Sequence, residues 1–358
     1  MNIFSVKYLN AGFQKELAFA RGFAVLFMVL VHVKEDLPGY PFSDMYANII
    51  EFCGSPLAAP TFMLLLGAGI VYSKNREPKK LAMRGLQLFA ANYVLNFVAF
   101  GIPHLIVFAQ TKDVALIETI LDTVFGVDIL AFAGLAFLFF ALTEKLKLKL
   151  IHIALISLVL SCLNYILTDV AATLNLSEPP GWLVRAEEYS YFPFLSWIEY
   201  PVMGYVFGHF LKRCSDKKAF YKYLLSFSAL IVVALSLGAL KYDFDLWSMH
   251  FGPETYYYQD FLQYILVGGI CFSWLSILYF LTSATTFKAI DKHFERWSKN
   301  TTAIFFIQWL IIGWFSILNF IEFPVNPYVN LATGLTIFIL SDIIAVFYKR
   351  IIQKRKGV

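Results

Sequence analysis

Stretches of about twenty mostly apolar residues recur along this chain, and the loops between them alternate between rich and poor in cations. A helix needs roughly 20 apolar residues to cross a bilayer. That ruler finds about ten candidates, near residues 17–34, 56–73, 85–108, 123–143, 149–168, 194–211, 223–241, 261–283, 301–319 and 329–348. Residues 113–122 read as a short interfacial helix ahead of the fourth. With 59% hydrophobic and 15% charged residues, the chain lies far from the composition of soluble domains. The expected fold is an all-α polytopic membrane protein, a single domain over residues 1–358, with no linker or repeat marking a second one.

The cations set the expected orientation. Lys34, Lys112, Arg185 and Lys241 are the only Lys or Arg residues in the loops of one side, which leaves 25 of the 29 for the other. Positively charged loops stay cytoplasmic, so both termini are expected inside. The start lacks a small-residue cleavage site after a short apolar core, so the first run is expected to be retained as a helix. The longer, acidic loops of the cation-poor side, "KEDLPGYPFSDMYANIIEF", "DVAATLNLSEPPGWLVRAEEYSYFP" and "KYDFDLWSMHFGPETYYYQD", either roof an external pocket or serve as solvated connections. Cys53, Cys162, Cys214 and Cys271 show no paired spacing, and the histidines no ligand spacing, so neither a metal site nor a disulfide framework is expected.

The first apolar run, "ARGFAVLFMVLVHVKEDL" from Ala20 to Leu37, contains two side chains that are costly in a membrane. Arg21 and His32 stand eleven residues apart, which at 3.6 residues per turn returns them to nearly one helix face, ~16 Å apart along the axis. Arg21 then lies toward the cytoplasm and His32 toward the outer side. Snorkelling explains an interfacial arginine, and a carbonyl partner explains an interfacial histidine. The pair on one stripe, with Asp36 one turn beyond His32, argues instead for chemistry, because a carboxylate at that spacing can hold an imidazole in one tautomer.

"RGFAVLFMVLVH" is similar to the arginine, ten residues, histidine pattern of the membrane acyltransferases that include the bacterial acyltransferase-3 proteins and the heparan-alpha-glucosaminide N-acetyltransferases. The bacterial heparan-glucosaminide-acetyltransferase-like proteins resemble the chain at further points in order: "APTFMLLLGAGIVYSKNR", "RGLQLFAANYVLN", "YFPFLSWIEYPVMGYVFGHFL" and "WSKNTTAIFFIQWLII". Two positions depart from their pattern. Ala18 stands where an aspartate commonly precedes the arginine by three residues, with Glu16 the nearest acid, and Gln308 stands where many relatives carry a histidine. Either departure implies a different acceptor, an altered donor site or a lost activity, the last of which would leave a catalytically silent scaffold or sensor.

The resemblance implies a multi-pass protein of the bacterial inner membrane that takes an acyl group, acetyl by preference, from cytoplasmic acyl-CoA and passes it to a sugar or other envelope acceptor outside. No nucleic acid partner is expected, and a homodimer stays open. His32 is the candidate general base, with Asp36 as its orienter, or else a transient acyl carrier. Arg21 and Arg84, at helix starts, are the candidate ligands of the CoA phosphates, since guanidinium binds phosphate through two parallel bonds. The cations of "REPKKLAMR" otherwise follow from topology alone. Glu199 and Trp197 are candidates for the acceptor pocket, where a sugar would be held by hydrogen bonds under an aromatic face. Gln308, Asn92 and Asn96 join them, although the two asparagines, one turn apart, equally suit helix-to-helix hydrogen bonding. The competing function is a proton-coupled transporter with His32 and Asp36 as its relay; the interruption "FGIPHL" would suit transport if it had a mate in another half.

Overall fold

The computed structural model describes residues 3–37, 45–173, 183, 191–242, 256–257, 259, 261–284, 288–318 and 326–355. Among these the regular elements are helices: α1 Lys15–Asp36, α2 Met45–Gly54, α3 Ala59–Tyr72, α4 Pro78–Asn96, a π-helical stretch Phe97–Gly101, α5 Ile102–Thr111, α6 Ala115–Phe125 and α7 Ile129–Lys145. There follow α8 Leu150–Thr173, α9 Phe194–Trp197, α10 Glu199–Arg213, α11 Lys217–Lys241, α12 Phe261–Ala284, α13 Lys288–Leu318 and α14 Pro327–Arg355. The loops expected to form an outer roof, with Arg185 and His250, lie mostly outside the described residues.

Seven helical segments among the described residues are long and apolar enough to cross a membrane: Lys15–Asp36, Met45–Tyr72, Pro78–Thr111, Lys217–Lys241, Phe261–Ala284, Lys288–Leu318 and Pro327–Lys354. Each coincides with one of the ten apolar stretches. The remaining three stretches are also helical: α7 has 17 residues, α10 has 15 and α8 has 24. The stretch at 194–211 is divided because Pro201 has no N–H to donate to the Trp197 carbonyl, and the chain turns at Ile198 between α9 and α10. The short helix expected at 113–122 is α6.

The chain forms two compact units. The first comprises Met1–Leu17, Ala59–Tyr93 and Gly126–Thr285. Its centre is the pair α3 and α10, whose backbones touch. A Cβ added to Gly67 would sit 1.8 Å from the Pro201 carbonyl oxygen, and one added to Gly204 would sit 1.7 Å from that of Leu64. Lipid tails are as apolar as leucine, so helices in a membrane gain little from hiding apolar surface from each other. Close packing through small residues supplies the association instead, and Gly204 and Gly208 on α10 have the four-residue spacing that suits it. The second unit comprises Ala18–Ala58, Val94–Phe125 and Thr286–Val358, and therefore holds most of α1 together with α2, the π stretch, α5, α6, α13 and α14.

Candidate active site

In the second unit the sequence breaks helical register where it reads "FGIPHL". Pro103 cannot donate to the Ala99 carbonyl, and its ring crowds that group, so the helix widens into the π stretch. The Ile102 N–H then bonds to the Phe97 carbonyl, which deprives the Val98 carbonyl of its usual donor. Trp314 on α13 replaces it, its indole Nε1–H reaching the Val98 oxygen at 2.9 Å. Gly313 lets α13 come close enough: a Cβ there would stand 2.4 Å from the Ala99 oxygen. One irregular turn thus fixes α13 against the π stretch through side-chain and backbone contacts that satisfy carbonyls in a medium without water.

That arrangement surrounds His32. Its ring stacks on Trp309 with centroids 4.1 Å apart and meets Phe305 edge-on at 6.5 Å, while Trp309 packs against Phe100 of the π stretch at 5.3 Å. His32 Nδ1 lies 2.9 Å from Gln308 Nε2 and 3.2 Å from Gln308 Oε1, and the Gln308 side chain is wholly buried. The two amide orientations have opposite consequences. With the oxygen accepting from Nδ1–H, Nε2 keeps a lone pair and can take a proton. With the amide nitrogen donating to Nδ1, Nε2 carries the proton itself.

Asp36, expected as the orienter, does not hold this position: Nδ1 pairs with Gln308, and the Asp36 backbone carbonyl accepts from Ser316 Oγ at 2.7 Å. Lys34, one residue pair away, is ion-paired with Glu51 of α2. Arg21 is half-buried on α1 and shares with His32 the helix in which Ala24, Val25 and Met28 are buried. Its neighbour Gly22 packs against the ring of Phe294 on α13. Further along α13, Arg296 grips the buried Asp342 of α14 through Nε at 3.2 Å and Nη2 at 2.5 Å, with Trp297 Nε1 donating to the same carboxylate at 3.0 Å.

The first unit holds the other expected groups. Glu199 accepts from Ser161 Oγ at 3.0 Å and Ser157 Oγ at 3.3 Å. With Ser157 it opens onto a largely apolar cavity of about 310 Å³, walled among others by Val202, Phe207, Phe220 and Phe272. Trp197 is fully buried; its Nε1–H donates to the Tyr257 carbonyl at 2.9 Å and its ring packs on Phe192, Tyr200 and Tyr256. An aromatic platform for a sugar needs an open face, and the Trp197 ring presents none here. The asparagines take the interhelical role: Asn92 Nδ2 donates to the Gly126 carbonyl at 2.9 Å, and, in the second unit, Asn96 Nδ2 donates to that of Val124 at 3.4 Å. Arg84 is exposed on α4, in the unit that does not contain Arg21.

Residues 14–241 match the family described as heparan-alpha-glucosaminide N-acetyltransferase, catalytic. The chain belongs to that family. It is a multi-pass membrane acetyltransferase. A search of curated proteins returns no match, and a search of solved structures returns none either.

The match includes His32 and ends before α13, so this acetyltransferase presents its histidine from within the matched region and Gln308 and Trp309 from outside it. At the departure marked by Ala18, the nearby Glu16 is buried and engaged, accepting from Lys217 Nζ at 2.7 Å and Tyr221 Oη at 2.9 Å. It therefore ties α1 to α11. Trp309 was not singled out from the sequence, where it is one of seven tryptophans; its adjacency to Gln308 in "FFIQW" was the available signal. Among the described residues no group of three or more His, Cys, Asp or Glu could hold a metal ion.

Proposed function

We propose that the protein moves an acyl group, acetyl by preference, from cytoplasmic acyl-CoA to a sugar or other envelope acceptor outside a bacterial inner membrane, with His32 as general base or transient acyl carrier. One observation carries the reading: within the matched region, an imidazole on an apolar helix is held by a buried amide at one nitrogen and stacked on an indole, so its other nitrogen is oriented for a single partner. In the direct route Nε2 takes the proton of the acceptor amine or hydroxyl as that group attacks the thioester carbonyl, and CoA leaves as the thiol. In the two-step route Nε2 attacks the carbonyl first and CoA leaves as its thiolate; the acceptor, giving up its proton, then takes the acyl group from the imidazole, which leaves as the free ring. Gln308 suits both, because its oxygen can accept from Nδ1–H as the ring becomes positive.

The test is transfer by the purified full chain in liposomes, supplied with radiolabelled acetyl-CoA and an amino sugar on opposite sides. Labelled sugar that forms only with acetyl-CoA supports the reading. Proton-coupled uptake of the sugar without any acetyl-CoA would replace it with the transporter.

A further inference from the structure

Four parts of the first unit converge where α10 ends: the N-terminal segment, the end of α3 with its connection to α4, the end of α7, and α10 itself. On α10, Tyr205, His209 and Lys212 recur at helical spacing, so they share one face. Arg76, in the α3–α4 connection, is ion-paired with Glu144 of α7 and donates from Nη2 to Tyr205 Oη at 2.9 Å; Tyr205 Oη in turn donates to Glu144 Oε1 at 2.7 Å. The His209 ring stands against Tyr205 at 4.8 Å. Lys212 Nζ donates to the Val71 carbonyl at 2.7 Å and sits over two rings, Tyr8 at 5.1 Å and Tyr72 at 5.3 Å. Arg213 also lies over Tyr8, at 5.7 Å.

The cations here are not all paired. Arg76 is ion-paired with Glu144, and Glu16, the carboxylate nearest Tyr72, is taken up by Lys217, whereas among the described residues neither Lys212 nor Arg213 has an ion-pair partner. A solvated face would let long cationic side chains point apart into water. Here two of them are drawn together over the same tyrosine, at a cost in mutual repulsion. The Tyr72 hydroxyl adds a second, independent sign: it is buried and has no hydrogen-bond partner among the described residues, although an unpaired buried polar group costs about 1–3 kcal/mol. Cations held close, remaining N–H donors, an unused hydroxyl and an exposed tyrosine ring together suit a ligand with several phosphate oxygens and a flat aromatic base.

We infer that this cluster of Arg76, Lys212, Arg213, Tyr8 and Tyr72 binds the phosphates of the CoA donor. The inference rests on the acyl-CoA reading above and moves the phosphate site from the exposed Arg84 to the end of α10. Phosphate oxygens would take the free N–H groups of Lys212 and Arg213, and Tyr8 would offer its ring to the adenine.

The same chemistry could come from an anionic lipid headgroup, and the experiment separates the two. The full chain, in nanodiscs of phosphatidylcholine alone, is titrated calorimetrically with CoA, dephospho-CoA and pantetheine, as the parent and as Lys212→Met, Lys212→Arg and Arg213→Gln. Support is CoA binding by the parent, weaker binding as phosphates are removed, and an affinity about tenfold lower in Lys212→Met with recovery in Lys212→Arg. Arg213 is exposed, so Arg213→Gln serves as a variant that folds even if Lys212→Met does not, and it should lower affinity in the same direction. Normal CoA binding by Arg213→Gln and a folded Lys212→Met overturns the site while leaving the acyl-CoA reading intact. Normal CoA binding by those variants with loss of co-purifying phosphatidylglycerol assigns the cluster to lipid and also overturns it. A parent that binds no CoA removes the acyl-CoA reading and this site together.

Discussion

His32 Nδ1 and the Gln308 side-chain amide are joined across 276 residues of sequence, and an amide, unlike a carboxylate, can present either a donor or an acceptor to the ring. The tautomer of the candidate catalytic histidine is therefore governed by the rotation of one buried side chain.

Gln308→Leu removes both amide orientations and should leave binding of acetyl-CoA unchanged while transfer falls roughly ten- to a hundredfold, the usual cost of losing the group that orients a working imidazole. Gln308→Glu, when ionised, can only accept, which fixes Nδ1 as the protonated nitrogen and Nε2 as the base. It should retain far more activity than the leucine variant. Equal kcat values for the two variants would show that position 308 does not orient the ring.

His32→Ala should give a folded protein that binds acetyl-CoA as the parent does and transfers it at a rate lower by about a hundredfold or more, the scale of a lost general base. Asp36→Asn should be milder, since Nδ1 already has its partner in Gln308. Trapping by rapid quench with labelled acetyl-CoA and no acceptor separates the routes: label bound covalently to the parent and absent from His32→Ala identifies an acyl carrier.

Helix positions could be read from the sequence because the length of an apolar run is a local property. His32 could be found because a titratable group within such a run is conspicuous. Its orienter could not. Asp36, one turn away, satisfied the spacing rule, whereas Gln308 reaches the ring only because Pro103 widens a helix and Gly313 lets α13 approach it. The Arg76 and Lys212 cluster was hidden for a different reason. Cations at helix ends already follow from topology, so nothing in their sequence positions distinguishes two held over one tyrosine from two in solvent.

Packing by close backbone contact makes a sharp contrast between glycines. Gly204→Ala would place a methyl group inside the Leu64 carbonyl and must separate α3 from α10, with an expected loss on the order of 3 kcal/mol. Gly238 has nothing within 4 Å of the corresponding position, so Gly238→Ala should be neutral or mildly stabilising. Thermal unfolding in detergent, followed by tryptophan fluorescence, measures both. Similar melting temperatures for the two variants would refute the close approach.

Trp314→Phe leaves the Val98 carbonyl without its indole donor and should cost about 1 kcal/mol, in the range measured for side-chain hydrogen bonds between membrane helices. Pro103→Ala restores an N–H that can reach the Ala99 carbonyl, which allows the π stretch to return to α-helical spacing and rotates Phe100 away from Trp309. The proline variant should therefore be as stable as the parent but slower in transfer. Parent-like transfer by Pro103→Ala would mean that the π stretch does not position the site.

Trp309 combines two properties that a single substitution can divide. Its ring stacks on His32, and its Nε1–H is buried without a hydrogen-bond partner among the described residues, a state that opposes folding by about 1–3 kcal/mol. Trp309→Phe keeps an aromatic face for the imidazole and removes the unpaired donor, so the variant should unfold at the same temperature as the parent or higher. If the indole N–H serves the reaction, by donating to the carbonyl oxygen as negative charge develops there, transfer should nevertheless fall by roughly tenfold or more, since one such donor supplies a few kcal/mol in a site closed to water. The fall should appear in kcat, because the bond strengthens only as charge builds. A Trp309→Phe variant that is more stable and fully active would reduce Trp309 to a packing partner of His32.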